Sequence, residues 1–584
     1  MNYNCAHFGG DAGAIQSVIV AAHSDNKTGW AKPVDILLFQ EVTSATVGTL
    51  QTAVNSAAPV GTTYARATFT TSSGEDASAG AQCAFYRVQT VSETASAHVD
   101  IFTGAGRNAD RWLFKLNGYS SSAASLYVYS AHLKASLGFE DDRETGALAI
   151  RLNANSIGAG VRAIYVGDFN IYVNTESAYL AFLAAGNGRG NDALGTGSWS
   201  GSSNAWKHTQ SPRLASGALV GGGMDDRFDF HLMTDQLSDG EGLSVIASTY
   251  RSLGNDGNHY NIAINTGANT YYPLERSRSN ALASALFNAS DHIPVLVDYQ
   301  VPAVMAATIG AIAPRVIQGA NLTATVAVQN VVVVATNIGS DELDYTVSGV
   351  AGLIGGASSG IAPLAPAVAN AVFSVNTGTI GVLEVEAQVT SSSEAVQNGA
   401  IVLPTSCVVL SRAKPSWQST SLVTSITVPL SIATGSSPVN FDVPLHNYGW
   451  QSLQSKLDAD FISFPAGSAL SRVGGLPMSV AGTPGLLHLR LNPVGLPIGL
   501  TTINATLLTS DEDIPGEGDG SLSLSIAVTV GDQSQPGDIN GDGVVDATDL
   551  AILLAQWGGP GSADIDHSGV VDGNDLATLL GNWG

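Results

Sequence analysis

Short apolar runs that end in polar residues recur through the first three hundred positions. Arg162-Ala163-Ile164-Tyr165-Val166 reads as a buried strand, closed by Gly167 and followed by Asp168 and Asn170. Two residues apart on extended backbone, Asp168 and Asn170 point the same way. A carboxylate and a carboxamide at a strand tip suit a ligand site better than a core. Val34–Val42 repeats the pattern with Glu41 at its end, and Ser125–Leu133 repeats it with His132. Asp225–Met233 reads as a strand in which Asp229 alternates with Phe228 and Phe230, and Ala289–Val297 places Asp291-His292 before another apolar strand. Between the His132 and Asp168 strands, Asp141–Asn155 is rich in Ala and Leu and reads as a helix, with Arg143 in its first turn. That alternation implies layered α/β architecture. Residues 186–223 are rich in Gly and Ser, long for a structureless loop and so functional or mobile.

Past residue 300 the pattern changes. A Pro-bounded linker, Pro302–Pro314, leads into strand-sized alternations such as Ala324–Val328, then Leu422–Val428 and Leu522–Val528. These predict two all-β sandwiches, over 301–403 and 404–532, without a catalytic constellation; spacer or binding module is the expected role. In 536–584 the polar positions become regular. Asp538, Asn540, Asp542, Asp546 and Asp549 occupy positions 1, 3, 5, 9 and 12 of a calcium loop, with Gly543 at 6 and the carbonyl of Val544 at 7. Asp564, Asp566, Ser568, Val570, Asp572 and Asp575 repeat the set 26 residues later. A helix follows each loop, with Leu550, Leu553, Leu554 and Trp557, then Leu576, Leu579, Leu580 and Trp583, forming apolar faces expected to bury against each other.

With 584 residues, three or four domains are expected. The net charge of −25 is uneven: 18 of the 24 Lys and Arg fall in residues 1–300 against 26 of the 49 Asp and Glu, leaving −8 there and −17 in the remainder. The cations thus gather where an anionic ligand would need them. No run of 18 apolar residues suggests a membrane span. Cys5, Cys83 and Cys407 make no disulfide framework, and buried free thiols are the favoured reading over a Cys5–Cys83 pair. Met1-Asn2-Tyr3-Asn4 reads as the tail of a strand whose beginning lies upstream, so a missing leader says little about location.

Six motifs in order, Tyr3-Asn4, Gln40-Glu41, His132, Gly167-Asp168-Phe169-Asn170, Arg227-Phe228-Asp229-Phe230 and Ser290-Asp291-His292, resemble those of the endonuclease/exonuclease/phosphatase superfamily, the family of pancreatic-type deoxyribonuclease. The resemblance spans about residues 1–300. It implies a four-layer αββα sandwich with one site, using Mg²⁺ or Mn²⁺, at the strand ends. By the same resemblance Glu41 and Asp291 are metal-side carboxylates, and Asn4 orients the metal shell or the phosphate. Asp168 orients or deprotonates the attacking water, and Asn170 donates to a phosphoryl oxygen. His292 contacts the phosphate, its other ring nitrogen held by Asp229, while His132 serves the leaving group or the phosphate. In the deoxyribonuclease a Glu backs that last histidine; only Glu75 and Asp76, in a loop, offer themselves here. Lys134 and Arg143 are phosphate-binding candidates. Trp199 and Trp206 could stack on a base or anchor the long loop, with anchoring favoured. Residues 536–584 resemble a type I dockerin, in which position 12 is Asp. That implies an EF-hand-like α module holding two Ca²⁺, and docking to a cohesin-like receptor. The expectation is a secreted or surface-attached phosphodiester hydrolase, foremost a nuclease. The alternatives are a phosphomonoesterase or sphingomyelinase-like lipid phosphodiesterase and, from another class, a non-catalytic surface scaffold.

Overall fold

A computed structural model describes residues 1–531 and 535–584. The expected end of the second sandwich, at residue 532, lies outside the described residues.

Residues 1–300 hold two large sheets. The first runs Arg251–Ser252, Val295–Leu296, Asn2–Asn4, Ile36–Val42, Ala81–Arg87, Tyr64–Arg66. The second runs Gly190–Asp192, Asp229–Thr234, Ala163–Asp168, Ser125–His132, Ala109–Leu116, Val91–Glu93, with Val99–Ile101 also on Ala109–Leu116. Alternation along each strand sends side chains two ways. From Ile36–Val42, Leu38 enters a core shared with Ala84, Trp112, Val128, Ile164, Val166 and Met233, so the sheets face each other. Leu37 and Phe39 turn outward to the helices Ala12–His23, Val47–Ala57 and Arg276–Ala289. From the second sheet, Tyr129, Tyr165 and Phe230 turn outward to Glu140–Ile157 and Ser177–Leu183. Helices therefore cover both outer faces.

That parity aims the polar strand ends. Asp168 shares a face with Ile164 and Val166, His132 with Val128, and Asp229 with Met233, so all three enter the space between the sheets. They also stand side by side, because His132 pairs with Asp168 across the parallel ladder and Asp168 with Asp229 across the antiparallel one. Beneath them a buried polar layer links the sheets: Gln40 Nε2 donates to Asn2 Oδ1 (2.8 Å) and Ser130 Oγ (2.9 Å).

Residues beyond 300 form two sandwiches, each a four-stranded sheet over a five-stranded one, with the same strand order in both copies. The strand Ala400–Leu410 pairs with Gly381–Ser391, so the first sandwich continues past the expected boundary at 403. Pairing of this strand overrides the punctuation that Pro404 supplies in the sequence. In 535–584 the helices Ala547–Ala555 and Gly573–Gly581 share a small core of Val545, Leu553, Ala563, Val571 and Leu579. The expected helix–helix burial is only partial: Leu554, Trp557, Leu580 and Trp583 remain exposed, because two nine-residue helices cover only one stripe of each other. All three cysteines are buried free thiols.

Candidate functional site

Two backbone features place the central carboxylates. Gly167 has φ 137°, and a Cβ there would fall 1.8 Å from the Ala131 carbonyl oxygen. Only glycine lets the Asp168 strand lie this close to the His132 strand. Glu41 is displaced by a bulge: Phe39 faces Cys83 but Val42 faces Ala81, so one residue is extra, and Glu41 takes φ 62°. On a regular strand Glu41 would point outward, since Gln40 points between the sheets; the bulge turns it to the site. Gly80 makes room, as a Cβ there would come within 2.7 Å of the Glu41 backbone.

Asn4 joins the acids, donating from Nδ2 to Glu41 Oε1 (3.0 Å) and Asp168 Oδ2 (3.1 Å). Its Oδ1 accepts from the Ala6 amide, which fixes the side chain beside the two carboxylates. His132 sits between the same acids, Nε2 3.3 Å from Asp168 Oδ2 and Nδ1 3.7 Å from Glu41 Oε1. Burial pushes His132 well below its ordinary pKa, with nearby Arg107, His292 and His7 adding to the effect. His292 Nδ1 lies 2.7 Å from Asp229 Oδ2 and Nε2 lies 3.5 Å from Asp168 Oδ2. Burial works against its cation, but Asp229 and Asp168 outweigh it and hold His292 well above the usual imidazole range. Burial, with Asp229 and Glu41 alongside, raises Asp168 to about 7 against the pull of His292.

Oxygens of Glu41 and Asp168 and a ring nitrogen of His132 all lie within 4.8 Å of one another, and His132 Nδ1 is buried without a partner. This mixed imidazole–carboxylate set fits a divalent cation. Asp291 stands apart from the cluster; its Oδ2 accepts from the Val220 amide (3.2 Å) and its Oδ1 from Ser290 Oγ (3.4 Å). Asn170 donates to the Leu133 carbonyl (3.2 Å), leaving its second amide hydrogen free for a ligand.

Other expectations are corrected. Arg143 is fully buried, its guanidinium on Glu176 (2.5 Å) and the Lys134 and Ser136 carbonyls, so it braces the loop after His132 and cannot meet a phosphate. The half-buried Lys134 lies over the Phe139 ring, a contact compatible with the expected phosphate binding. Glu75 caps its own helical turn with Ser72, and Asp76 accepts from Ser44, so neither backs His132; Glu41 is the acid nearest its Nδ1, at 3.7 Å and beyond hydrogen-bond reach. Trp199 is buried in the core beside Tyr179 and Phe230, an anchor, whereas Trp206 is 48% exposed.

Several site residues arrive from loops. Thr209 Oγ1 accepts from the amides of Phe228 and Asp229 (both 3.1 Å), fixing the start of that strand. The Gln210 side-chain amide lies 2.8 Å from His292 Nε2. Arg107 donates to the Leu133 carbonyl (2.7 Å) and its charge bears on Asp168 and Glu41. His7 Nε2 reaches Glu41 Oε2 at 3.2 Å from a turn in which Ala6, His7 and Phe8 all have positive φ. Three such residues in succession are costly and need tertiary support.

At the far end of the chain, Asp538, Asp542 and Asp549 group as a cation site would require, as do Asp564, Asp566 and Asp575. Asp538 already gathers the amides of Gly541, Asp542 and Gly543, which shapes the loop. Asp546 and Asp572 cap the two helices in capping boxes with Asp549 and Asp575.

Residues 536–581 match the Dockerin type I domain. No curated protein matches the chain. Solved structures similar to it include D. rerio TDP2 complexed with single strand DNA product (15% identity, 51% of this chain, 97% of that one, TM-score 0.33). A mannosyl-6-phosphatase of Bacteroides thetaiotaomicron VPI-5482 is similar over the same shares (17%, TM-score 0.31). So is an endonuclease/exonuclease/phosphatase from Bacteroides vulgatus (15%, TM-score 0.32). No helix among the described residues is long and apolar enough to cross a membrane.

Proposed function

We propose that residues 1–300 form a metal-dependent phosphodiester hydrolase acting on nucleic acid. The observation that carries this is the row His132–Asp168–Asp229, with the imidazolium of His292 bridging Asp168 and Asp229 above a cation cluster. A carboxylate raised to about 7 is suited to take a proton from water near neutral pH. The His292 cation, fixed by Asp229, supplies a preorganised positive charge for a phosphoryl oxygen. With His292 protonated, Gln210 presents its amide oxygen to Nε2 until a phosphate displaces it. Asn170 adds a neutral donor, and Asn4, donating to both carboxylates, keeps Glu41 and Asp168 oriented, with the Arg107 charge nearby. Glu41, with His132, would hold the cation, which neutralises charge on the phosphoryl and leaving oxygens. Exposed Trp206, four residues from Gln210 and with Lys207 against its ring, favours a substrate carrying bases.

For residues 535–584 we propose two Ca²⁺ ions and docking to a cohesin-like receptor. Loops this acidic fill where calcium is plentiful, which favours an extracellular or cell-surface setting.

The test is hydrolysis by the full chain with Mg²⁺ or Mn²⁺ of plasmid DNA, RNA, bis-p-nitrophenyl phosphate, p-nitrophenyl phosphate and sphingomyelin, beside His292→Ala. Nicked plasmid or cut RNA, with turnover falling by about 10²-fold or more in the variant, is expected. Turnover of monoester or lipid alone would move the substrate class. Silence on the whole panel would sink the enzymatic reading.

A further inference from the structure

Where residues 1–300 meet the first sandwich, three acids from two segments converge. Glu241 comes from the loop that precedes Ser244–Val245, and Asp341 and Glu342 lead into the strand Leu343–Ala351. Carboxylate oxygens of the three lie within 4.8 Å of one another. Asp341 is only 2% exposed. Its Oδ1 accepts from Gln300 Nε2 at 3.2 Å, while its Oδ2 is buried with no partner. Gln300 Nε2 also donates to the Gly240 carbonyl (2.7 Å), so one side chain ties Asp341 to the loop that carries Glu241. Asp239, Asp344 and Glu394 add negative charge around Glu241, and the nearby guanidinium of Arg162 is taken up by Glu394.

A buried carboxylate oxygen that faces two further carboxylates and has no hydrogen-bond donor is costly as the structure stands. A divalent cation removes that cost. The three grouped donors are all carboxylate oxygens, with neither imidazole nor thiolate, a set that selects Ca²⁺ over transition metals. Glu241 and Glu342 are exposed, which leaves one side open for water ligands.

We propose that Glu241, Asp341 and Glu342 form a calcium site that fastens the first domain to the first sandwich. The site is independent of the phosphoester centre and of the loops in 535–584. It adds to contacts already crossing the junction, such as the Val301 amide to the Gly339 carbonyl (3.0 Å) and Tyr119 Oη to the Pro302 carbonyl (2.5 Å).

The test counts calcium on the full chain by equilibrium dialysis against radiolabelled Ca²⁺ at about 1 mM free ion. Wild type is compared with the double variant E241Q/E342Q, whose exposed side chains can change without disturbing the fold, and with Asp341→Asn. Each variant is expected to bind one Ca²⁺ fewer per chain. Calcium is also expected to slow hydrogen exchange in 239–242 and 341–344 of the wild type alone. Equal calcium counts in wild type and E241Q/E342Q would overturn the site and leave Asp341 as a protonated acid sharing its proton with a neighbour.

Discussion

At position 167 any side chain would have to occupy the space of the Ala131 carbonyl oxygen, and the backbone is in a region that L residues rarely enter. Gly167→Ala is therefore expected to destabilise the first domain by more than about 4 kcal/mol, or to stop it folding. Gly160 also has positive φ, 77°, but open space around it, so Gly160→Ala should cost only about 1–2 kcal/mol. Urea titration followed by near-ultraviolet circular dichroism distinguishes the two; similar losses would mean that strain and not overlap matters at 167. The same scale shows what the sequence could disclose. His132, Asp168, Asp229 and His292 were legible because each interrupts or flanks an apolar run, and strand parity alone then sends the first three to one face. Glu41 was legible as an acid but not as to its direction, which depends on one extra residue in the ladder. His7, Gln210, Thr209 and Arg107 carried no local signal. They reach the site from loops, and only the packed structure says where a loop passes.

At the scale of elements, the long strands announced themselves, as did the helix Glu140–Ile157, expected at Asp141–Asn155, and the helices after the two acidic loops, whereas three helices on the first sheet did not. Ala12–His23, Val47–Ala57 and Arg276–Ala289 bury residues at helical spacing, such as Ile15, Val18, Ile19 and Ala22, but Ala and Ser fill much of the stripe in the second and third, and packing on the first sheet stabilises all three. The matching strand order of the two sandwiches was hidden too, since turns and alternation repeat without repeating residues. How the first sheet is tied at its edge yields a prediction. Asp35, just before Ile36–Val42, accepts from Lys32 Nζ (2.8 Å), Arg87 Nε (3.1 Å) and Thr90 Oγ1 (2.7 Å). Burial would raise this carboxyl, but Lys32 and Arg87 outweigh it and hold it at about 2, against an ordinary 3.8. A folded-state value below the unfolded one means stability present above pH 3.8 and lost as pH falls toward 2, up to about 2 kcal/mol. The thermal transition of the first domain should therefore fall less steeply with acid in Asp35→Asn than in wild type. Parallel curves from pH 5 to about 2 would show that Asp35 adds nothing to acid sensitivity.

For the molecule as a whole, the two sandwiches separate the α/β domain from a small acidic module, and that module has the weakest core. Five fully buried apolar residues hold it together. Residues 535–584 carry eight Asp and no Lys or Arg, so the charges that would bind cations repel one another when the cations are gone. A domain this small rarely folds on its core alone, and metal binding is then folding free energy. At a free calcium level a hundred times the dissociation constant, each ion would contribute about 2.7 kcal/mol. Removing calcium with a chelator that spares Mg²⁺ should raise hydrogen exchange throughout 535–584 in one step. The helices Ala547–Ala555 and Gly573–Gly581 should loosen together, because Leu553 and Leu579 share one core with Val545, Ala563 and Val571. Asp538→Ala should do the same with calcium present, since Asp538 organises the first loop through three backbone amides. Both sandwich cores should keep their protection in either experiment. Protection in 535–584 that survived both chelation and Asp538→Ala would mean that the loops are only a polar surface on a module stable without metal, and docking would then be insensitive to calcium.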